Sequence, residues 1–266
     1  VKSRFVVATG GLFLVILGWQ RRLNELWRAI TGPWAGRIAA AALLISANWG
    51  IFIWAVQAGH VVQSSLGYYT YPLIAVLLGL VIFHERLGRV QAFAVALAVA
   101  AVALLTWGLG VAPWISLGLA ITMGLYGVVK KSLPLGPVLS VAAEVALLTP
   151  FALVWLIGQG AGLFPGVAPL AFGTSPEVTL LLIFSGVITA IPLVLFSYAA
   201  RRVEMTTMGV MFYLNPTLQF LCAVVVFGEA VTPWHMIAFA MIWTAIAIYT
   251  TASIRQSRRA VPLANG

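Results

Sequence analysis

The sequence predicts an all-α polytopic membrane protein, on three observations. Of the 266 residues, 62% are hydrophobic and only 8% are charged, whereas soluble chains carry about 25% charged residues. Apolar runs recur along the whole chain, most of them near the roughly 20 residues that a membrane-spanning helix needs. None shows the short alternation of apolar and polar residues that is typical of a transmembrane barrel. Helices are expected because every backbone N–H in lipid must be satisfied within its own segment.

Nine apolar segments are predicted to span the membrane. They lie at Phe5–Trp19, Ala39–Gln57, Leu66–Phe83, Ala92–Leu109, Pro113–Val129, Val138–Ile157, Val178–Ala200, Met208–Phe227 and His235–Ile254. The single cysteine, Cys222, lies inside the eighth segment, so no disulfide framework is expected.

The basic residues predict which way the chain crosses the membrane. Nearly all of the 15 lysines and arginines lie in the loops after the first, third, fifth, seventh and ninth segments. An excess of Lys and Arg marks the cytoplasmic loops of membrane proteins, so the C-terminus is expected to be cytoplasmic. The net charge of +9 is therefore assigned to topology, and no nucleic-acid partner is expected.

An internal repeat predicts two related halves. Four pairs of residues share a spacing of 144 positions: Tyr69 and Tyr213, Pro72 and Pro216, Phe83 and Phe227, Glu85 and Glu229. Repeated hydrophobic segments are typical of transporters, so we predict a first half at 1–111, a second half at 112–254 and a basic cytoplasmic tail at 255–266.

The number of segments in each half predicts an inverted repeat. Five segments follow the boundary and four precede it. Halves with an odd number of spans enter the membrane in opposite directions. We therefore expect that the first helix of the first half is missing from this sequence and that the intact protein has ten spans.

Glu144 is the one acidic residue that lies well inside a predicted span. Placing a charge near the bilayer centre costs about 2.5–3.5 kcal/mol on insertion scales, so such a residue usually faces a cavity or a partner. Three interpretations stay open: contact with a substrate group, uptake of a proton during transport, or a tie between two helices.

Prolines and polar residues inside the spans supply the other candidate site residues. Pro72, Pro192 and Pro216 are predicted hinges, because proline breaks the helical ladder and transporter helices are often interrupted at the substrate site. The remaining substrate-binding candidates are Asn48, Trp49, Tyr68, Tyr71, Tyr213, Asn215 and Gln219. In the alternative interpretation, the tyrosines form an interface belt and the amides join helices.

No catalytic, metal or cofactor site is predicted. The three histidines, His60, His84 and His235, lie at the ends of different spans, and the chain contains no aspartate. Their spacing matches no zinc or iron site, and no glycine-rich phosphate loop occurs. We therefore expect no cofactor and no enzymatic activity.

Seven short runs of the chain resemble those of a known family. They are Ala47-Asn48-Trp49, Ile53-Trp54-Ala55-Val56, Ser65-Leu66-Gly67-Tyr68, Gly124-Leu125-Tyr126-Gly127, Thr189-Ala190-Ile191-Pro192-Leu193, Ala199-Ala200-Arg201-Arg202 and Pro216-Thr217-Leu218-Gln219-Phe220. Together they resemble the RarD-type permeases of the EamA branch of the drug/metabolite transporter superfamily, over nearly the whole chain. The resemblance implies ten helices in two inverted five-helix halves, a bacterial inner membrane and a central cavity between the halves. Glu144 matches an acidic position of the family's seventh helix, whereas Tyr71-Pro72 stands where the family usually has Asn-Pro.

The sequence therefore predicts a secondary transporter that moves a small metabolite or drug-like molecule by alternating access. A proton-coupled exporter using Glu144 is the first hypothesis for its mode, and a uniporter is the second. The expected partners are a small-molecule substrate and the lipid bilayer, and a homodimer is left open. The rival interpretations are a non-transporting membrane partner or assembly subunit and, less favoured, a membrane-embedded enzyme.

Overall fold

Helices form all the regular structure of the described residues. The computed structural model of the chain describes residues 2–110, 113–161, 163, 175–227 and 233–260, and these contain eleven helices and no strand. The helices are α1 (Lys2–Trp19), α2 (Leu23–Thr31), α3 (Ala35–Gln57), α4 (Val61–Ile82), α5 (Arg89–Gly108), α6 (Trp114–Ser132), α7 (Pro137–Gly160), α8 (Pro176–Ala200), α9 (Met205–Phe212), α10 (Leu214–Phe227) and α11 (Pro233–Ala260). The predicted all-α polytopic fold is thereby confirmed.

All nine predicted spans coincide with helical structure. The eighth is divided between α9 and α10, and each of the others corresponds to one helix. Within the described residues, six stretches are long and apolar enough to cross a membrane: Ala35–Gln57, Gln63–Ile82, Arg89–Gly108, Pro137–Gly160, Pro176–Ala200 and Pro233–Gln256. A shorter apolar stretch, Thr9–Trp19, lies in α1.

Helix α2 lies in the basic stretch after the first predicted span, which the sequence predicts to be a loop. Its apolar residues Leu23, Leu26, Trp27 and Ile30 recur at the spacing of one helical face. Leu26 is buried, whereas Trp27 is 66% exposed. An amphipathic helix with an exposed tryptophan is typical of a segment that lies along the membrane surface.

The division between α9 and α10 has a specific cause in Pro216. A proline ring clashes with the carbonyl of the residue four positions earlier, here Phe212. Helix α9 ends at Phe212, and the Tyr213 amide turns back to the Val210 carbonyl at 3.3 Å. Proline does not break every helix of this chain, since α4 continues through Pro72 and α8 through Pro192.

The chain forms two compact units, and each is built from two separate stretches of the sequence. Unit 1 comprises Val1–Ile45 and Val129–Arg202, and unit 2 comprises Ser46–Val128 and Val203–Gly266. The two sequence halves, 1–111 and 112–254, stay a prediction about the repeat.

Unit 1 is built on the packing of α1 against α7 and α8, with α2 against α7. Its core contains Phe13 and Leu17 of α1, Leu26 of α2 and Val141 of α7. Alanines such as Ala142, Ala143 and Ala190 belong to the same core. Small side chains let helices approach closely where lipid offers no hydrophobic driving force.

Unit 2 is built on two helix pairs, α5 with α11 and α4 with α9. The α4–α9 pair is very close at Gly209, where a Cβ atom would lie 2.8 Å from both the Pro72 carbonyl oxygen and the Ala75 Cβ. Any larger residue at Gly209 would push α9 away from α4. Unit 2 also contains the candidate pocket described next.

Candidate functional site

Asn48 fixes one wall of a small pocket in unit 2. Its side-chain nitrogen donates to the Leu119 carbonyl at 2.8 Å and to the Thr122 hydroxyl oxygen at 2.9 Å. Thr122 in turn donates to the Gly118 carbonyl at 2.8 Å. An asparagine amide in a membrane helix needs such partners, because an unpaired polar group in hydrocarbon is costly. These bonds tie α3 to α6.

A second contact joins α6 to the first turn of α4. The Ser116 hydroxyl donates to the Gln63 carbonyl at 2.6 Å. Near it, Gly67 lets the two helices approach, since a Cβ atom there would lie 3.0 Å from the Leu119 Cβ. Helices α3, α4 and α6 are thus held at fixed spacings around the pocket.

The pocket itself is small, aromatic and uncharged. We call it the aromatic pocket; its volume is about 50 Å³, and it is lined by Asn48, Ser64, Gly67, Tyr68, Tyr71, Leu119, Met123 and Phe212. Its aromatic rings make edge contacts: Tyr71 with Phe212 at a centroid distance of 4.5 Å, and Tyr68 with Phe52, which lies outside the lining, at 6.0 Å.

Some hydrogen-bonding groups of the residues that line the aromatic pocket have no partner among the described residues. Tyr71 is only 2% exposed, yet its hydroxyl has no hydrogen-bond partner in the described part of the chain. The Asn48 carbonyl oxygen receives no hydrogen bond from those residues either. Pro72, which has no N–H, cannot donate to the carbonyl of Tyr68. A buried hydroxyl without a partner is costly, so these groups suit a ligand that both donates and accepts hydrogen bonds.

Glu144 lies in unit 1, in a buried ion pair. Its Oε1 atom is 2.5 Å from Lys130 Nζ, and the two side chains are 4% and 0% exposed. Lys130 also donates to the Ser140 hydroxyl at 2.6 Å, and that hydroxyl lies 3.3 Å from the same carboxylate oxygen. The short connection between α6 and α7 places the end of one helix beside the start of the next, which brings the three residues together.

The fold resembles that of a solved protein. One crystal structure matches with a TM-score of 0.67 at 21% identity, covering 94% of this chain and 87% of the other. At that identity, the likeness concerns the fold alone.

Comparison of sequences identifies the family to which the chain is similar. The model of the EamA-like transporter family matches residues 3–107. An uncharacterized transporter of Pseudomonas aeruginosa is 43% identical over 91% of this chain and 78% of its own length. Protein RarD of Streptomyces exfoliatus is 41% identical over 95% of this chain and 78% of its own. A chloramphenicol-sensitive protein RarD of Pseudomonas aeruginosa is 34% identical over 96% of this chain and 81% of its own length.

This chain belongs to the EamA-like transporter family, as a RarD-type permease. The resemblance inferred from the sequence is thereby confirmed. The permease is a multi-pass membrane protein, and its relatives are named as transporters.

The permease brings some of the predicted substrate-binding residues together. Asn48, Tyr68 and Tyr71 line the aromatic pocket. Tyr213 is buried in unit 2 and lines a separate cavity of about 10 Å³ beside Pro72 and Tyr249. These placements leave the assignment of a substrate-binding role a prediction for all four.

The other predicted residues lie elsewhere. Trp49 and Asn215 are half-buried and line none of the cavities described. Gln219 lies in α10, but its side chain falls outside the described part of the structure. Glu144 faces Lys130 and Ser140.

Sequence reasoning missed several residues of the permease that the structure brings forward. The pattern of basic loops assigns Lys130 to topology. Only the short stretch 130–137 separates the fifth and sixth predicted spans, and this is the signal that could have placed Lys130 beside the first turns of α7. Met123 and Phe212 of the aromatic pocket give no sequence signal, because an apolar residue in a lipid-facing segment and one in a pocket look alike. Among the described residues, no three His, Cys, Asp or Glu side chains cluster where they could hold a metal ion.

Proposed function

We propose that this permease is a secondary transporter that moves a small, uncharged organic molecule by alternating access, with the aromatic pocket as part of the substrate path. The observation that carries the proposal is that Tyr71, which lines the pocket, has a buried hydroxyl without a partner among the described residues. Binding sites are largely apolar, with a few polar groups that orient the ligand. Tyr71 and Asn48 supply such groups.

The chemistry of the pocket favours an aromatic substrate. Its rings provide edge and face contacts, which aromatic pairs prefer. None of its described lining side chains carries a full charge at neutral pH, so a fully ionised substrate would find no counter-ion there. A volume of about 50 Å³ holds only part of a metabolite, so the substrate would enter as the surrounding helices move apart.

The prolines supply places where such movement can occur. Pro72 lies in the pocket-lining helix α4, and Pro216 follows the division between α9 and α10. Each removes one N–H from its helical ladder, which lowers the resistance of the helix to bending there. Pro192 would do the same in α8.

Proton coupling through Glu144 is the further part of this proposal. Protonation of Glu144 would remove the charge that neutralises buried Lys130 and would weaken their 2.5 Å contact. A proton could thereby change the stability of one arrangement of unit 1 relative to another. The distribution of lysine and arginine supports an orientation with the C-terminus in the cytoplasm, and the bacterial relatives support an inner membrane location.

Transport by purified protein in proteoliposomes tests the proposal. Chloramphenicol, named in the description of one Pseudomonas aeruginosa relative, is an uncharged aromatic molecule and the first probe; radiolabelled uptake is compared with empty liposomes. Met123→Trp would fill the pocket and should abolish uptake. Ile121→Trp, on an exposed position of the same helix, should leave it intact.

Two results would contradict parts of the proposal separately. Equal uptake by the Met123→Trp protein would remove the pocket from the substrate path. Uptake that is unchanged when the pH gradient is collapsed would exclude proton coupling. If chloramphenicol is not transported, a metabolite library screened for thermal stabilisation of the protein provides the next probes. If no compound stabilises the protein and it co-purifies with a larger complex, it is an assembly subunit instead.

A further inference from the structure

A wide cleft opens in unit 2 where α5 begins and α11 approaches its end. Its volume is about 700 Å³, and Arg89, Val90, Ile248, Thr251, Arg255 and Gln256 are among its lining residues. We call it the α5–α11 cleft. It is distinct from the aromatic pocket, with which it shares no lining residue.

The two walls of the cleft are fixed by packing and by hydrogen bonds. Gln91 donates to the Ser253 hydroxyl at 3.0 Å, which joins α5 to α11. The same glutamine side chain accepts from the Gly88 amide at 2.8 Å. Gln91 is 5% exposed, so this joint lies beneath the cleft and keeps its walls together.

The depth of the cleft in the membrane follows from the apolar spans. Arg89 is the first residue of the apolar stretch Arg89–Gly108, and Arg255 is the next to last residue of Pro233–Gln256. Because Gln91 contacts Ser253, the start of one span lies beside the end of the other. Both guanidinium groups therefore lie where the hydrocarbon gives way to the headgroups.

The charge of the cleft is positive and uncompensated within the described residues. Arg89 and Arg255 are exposed, and neither forms an ion pair with a described residue. No described acidic residue lines the cleft, and the first turn of α5 contains none. The N-terminus of α5 adds a partial positive charge of its own. An anion placed there would meet two arginines, which suit phosphate geometry.

The remaining lining residues are suited to the polar headgroup and the acyl chain of a phospholipid. Gln256 offers a hydrogen-bonding amide beside the arginines, whereas Val90 and Ile248 present apolar surface. The Thr251 hydroxyl already donates to the Ala247 carbonyl at 2.7 Å. Val90 is 56% exposed. A free phosphate ion would use only the basic part of such a lining, but a phospholipid would use both parts.

We propose that the α5–α11 cleft binds an anionic phospholipid, with the headgroup phosphate between Arg89 and Arg255 and an acyl chain along Val90 and Ile248. Basic pockets between membrane helices bind anionic headgroups by the same combination of charge and apolar surface. The proposal needs only that the protein is embedded in a membrane, so it stands or falls independently of the proposed transport function.

Lipid binding to the purified full-length protein tests the proposal directly. Native mass spectrometry would count dioleoyl phosphatidylglycerol and dioleoyl phosphatidylcholine retained by the protein, and thermal unfolding would be followed with each lipid. We expect preferential retention of phosphatidylglycerol and a higher Tm with that lipid only. High salt should weaken the binding, because salt screens charges near the surface.

Substitution of Arg89 and Arg255 tests whether phosphatidylglycerol binds in the α5–α11 cleft. Arg89→Gln and Arg255→Gln should each weaken phosphatidylglycerol binding about fivefold, the effect of one basic residue near a membrane surface. Arg86→Gln is the matched control, since Arg86 is exposed in the connection just before α5 but does not line the cleft. Arg89→Lys and Arg255→Lys should keep most of the binding, because each retains the positive charge.

Three results would overturn the proposal. Equal binding of the two lipids would show that the headgroup charge is not recognised. An equal loss in the Arg86→Gln protein would show a diffuse surface effect. Stabilisation by inorganic phosphate equal to that by phosphatidylglycerol would assign the cleft to a small anion. The comparison of lipids uses the unaltered protein, so it decides the question even if a variant fails to fold.

Discussion

The carboxylate of Glu85 caps the start of helix α9 by accepting a hydrogen bond from the Thr206 amide at 2.9 Å. Its other oxygen accepts from the Met205 amide at 2.7 Å. Gly79 makes room for this carboxylate, since a Cβ atom there would lie 2.5 Å from Glu85 Oε2. The connection after α4 thereby satisfies two of the first N–H groups of α9, which have no acceptor within their own helix.

Removal of this cap should destabilise unit 2. Glu85→Ala leaves two amides of α9 without an acceptor and removes a negative charge from a helix N-terminus, so we expect a loss of about 1–2 kcal/mol. Glu85→Gln should lose less, because its amide oxygen still accepts one bond. Thermal unfolding of the purified protein measures both effects.

Glu177→Gln provides the matched control for the cap. Glu177 lies in the first turn of α8 and is exposed, so its replacement should change Tm little. A Tm for Glu85→Ala equal to that of this control would contradict the capping role.

Glu85 also shows how far sequence reasoning reaches. The internal repeat singled out Glu85 and placed it at a span end, as the structure does. It could not supply the partner, because Thr206 lies 121 positions away along the chain. Apolar runs predict each helix locally, whereas the partner of a polar side chain depends on which helices pack together.

Glu144 illustrates the same limit inside a span. The sequence places it well inside a predicted span, and the structure buries it, with 3% of the residue exposed. The pattern of basic loops, however, assigned Lys130 to the membrane surface. That pattern counts charges by loop and is insensitive to a lysine whose side chain turns inward from the last turn of its helix.

Replacing one partner of the buried ion pair should destabilise the protein far more than replacing both. Lys130→Met leaves Glu144 buried without its counter-charge, and we expect a loss of about 3–5 kcal/mol. The double variant Lys130→Met with Glu144→Leu removes both charges and should recover most of that stability. Denaturation of the unaltered protein, the single variants Lys130→Met and Glu144→Leu, and the double variant in the same detergent measures the coupling between the two residues.

A control variant and a transport assay complete this test. Lys131→Met alters the neighbouring lysine, which is outside the buried pair, and should have a small effect. If the double variant is folded and still transports with the same response to a pH gradient, Glu144 serves structure and does not couple protons.

Gly209 should tolerate no side chain. A Cβ atom at Gly209 would lie 2.8 Å from both the Pro72 carbonyl oxygen and the Ala75 Cβ atom. A backbone carbonyl cannot move aside as easily as the end of a flexible side chain. We expect Gly209→Ala to destabilise the protein by about 1–3 kcal/mol, as overpacking does. Gly11→Ala is the control, because nothing lies within 4 Å of that Cβ position, and its Tm should not fall.

Glu25 should titrate at low pH because of Arg22. The Arg22 guanidinium donates to the Glu25 carboxylate at 2.7 Å, and this hydrogen bond lowers the pKa of Glu25 while raising that of Arg22. A lowered pKa means that the contact contributes above the ordinary glutamate pKa and is lost as the pH falls through the lowered value. NMR titration of Glu25 should show a midpoint below that of an ordinary glutamate. Arg22→Gln should move it upward, and an unchanged midpoint would show that the pair does not form in solution.

Tyr71→Phe should separate the stability of the aromatic pocket from its affinity. The Tyr71 hydroxyl is buried with no partner among the described residues, so its removal takes away a desolvation cost and should leave Tm unchanged or higher. If that hydroxyl is kept for the substrate, the same change should weaken substrate binding by about 0.5–1.5 kcal/mol, the net value of one hydrogen bond. Uptake kinetics in proteoliposomes would show this as a raised KM. A raised Tm with unaltered KM would mean that the substrate does not contact Tyr71, whereas a lowered Tm would mean that the hydroxyl has a partner within the protein.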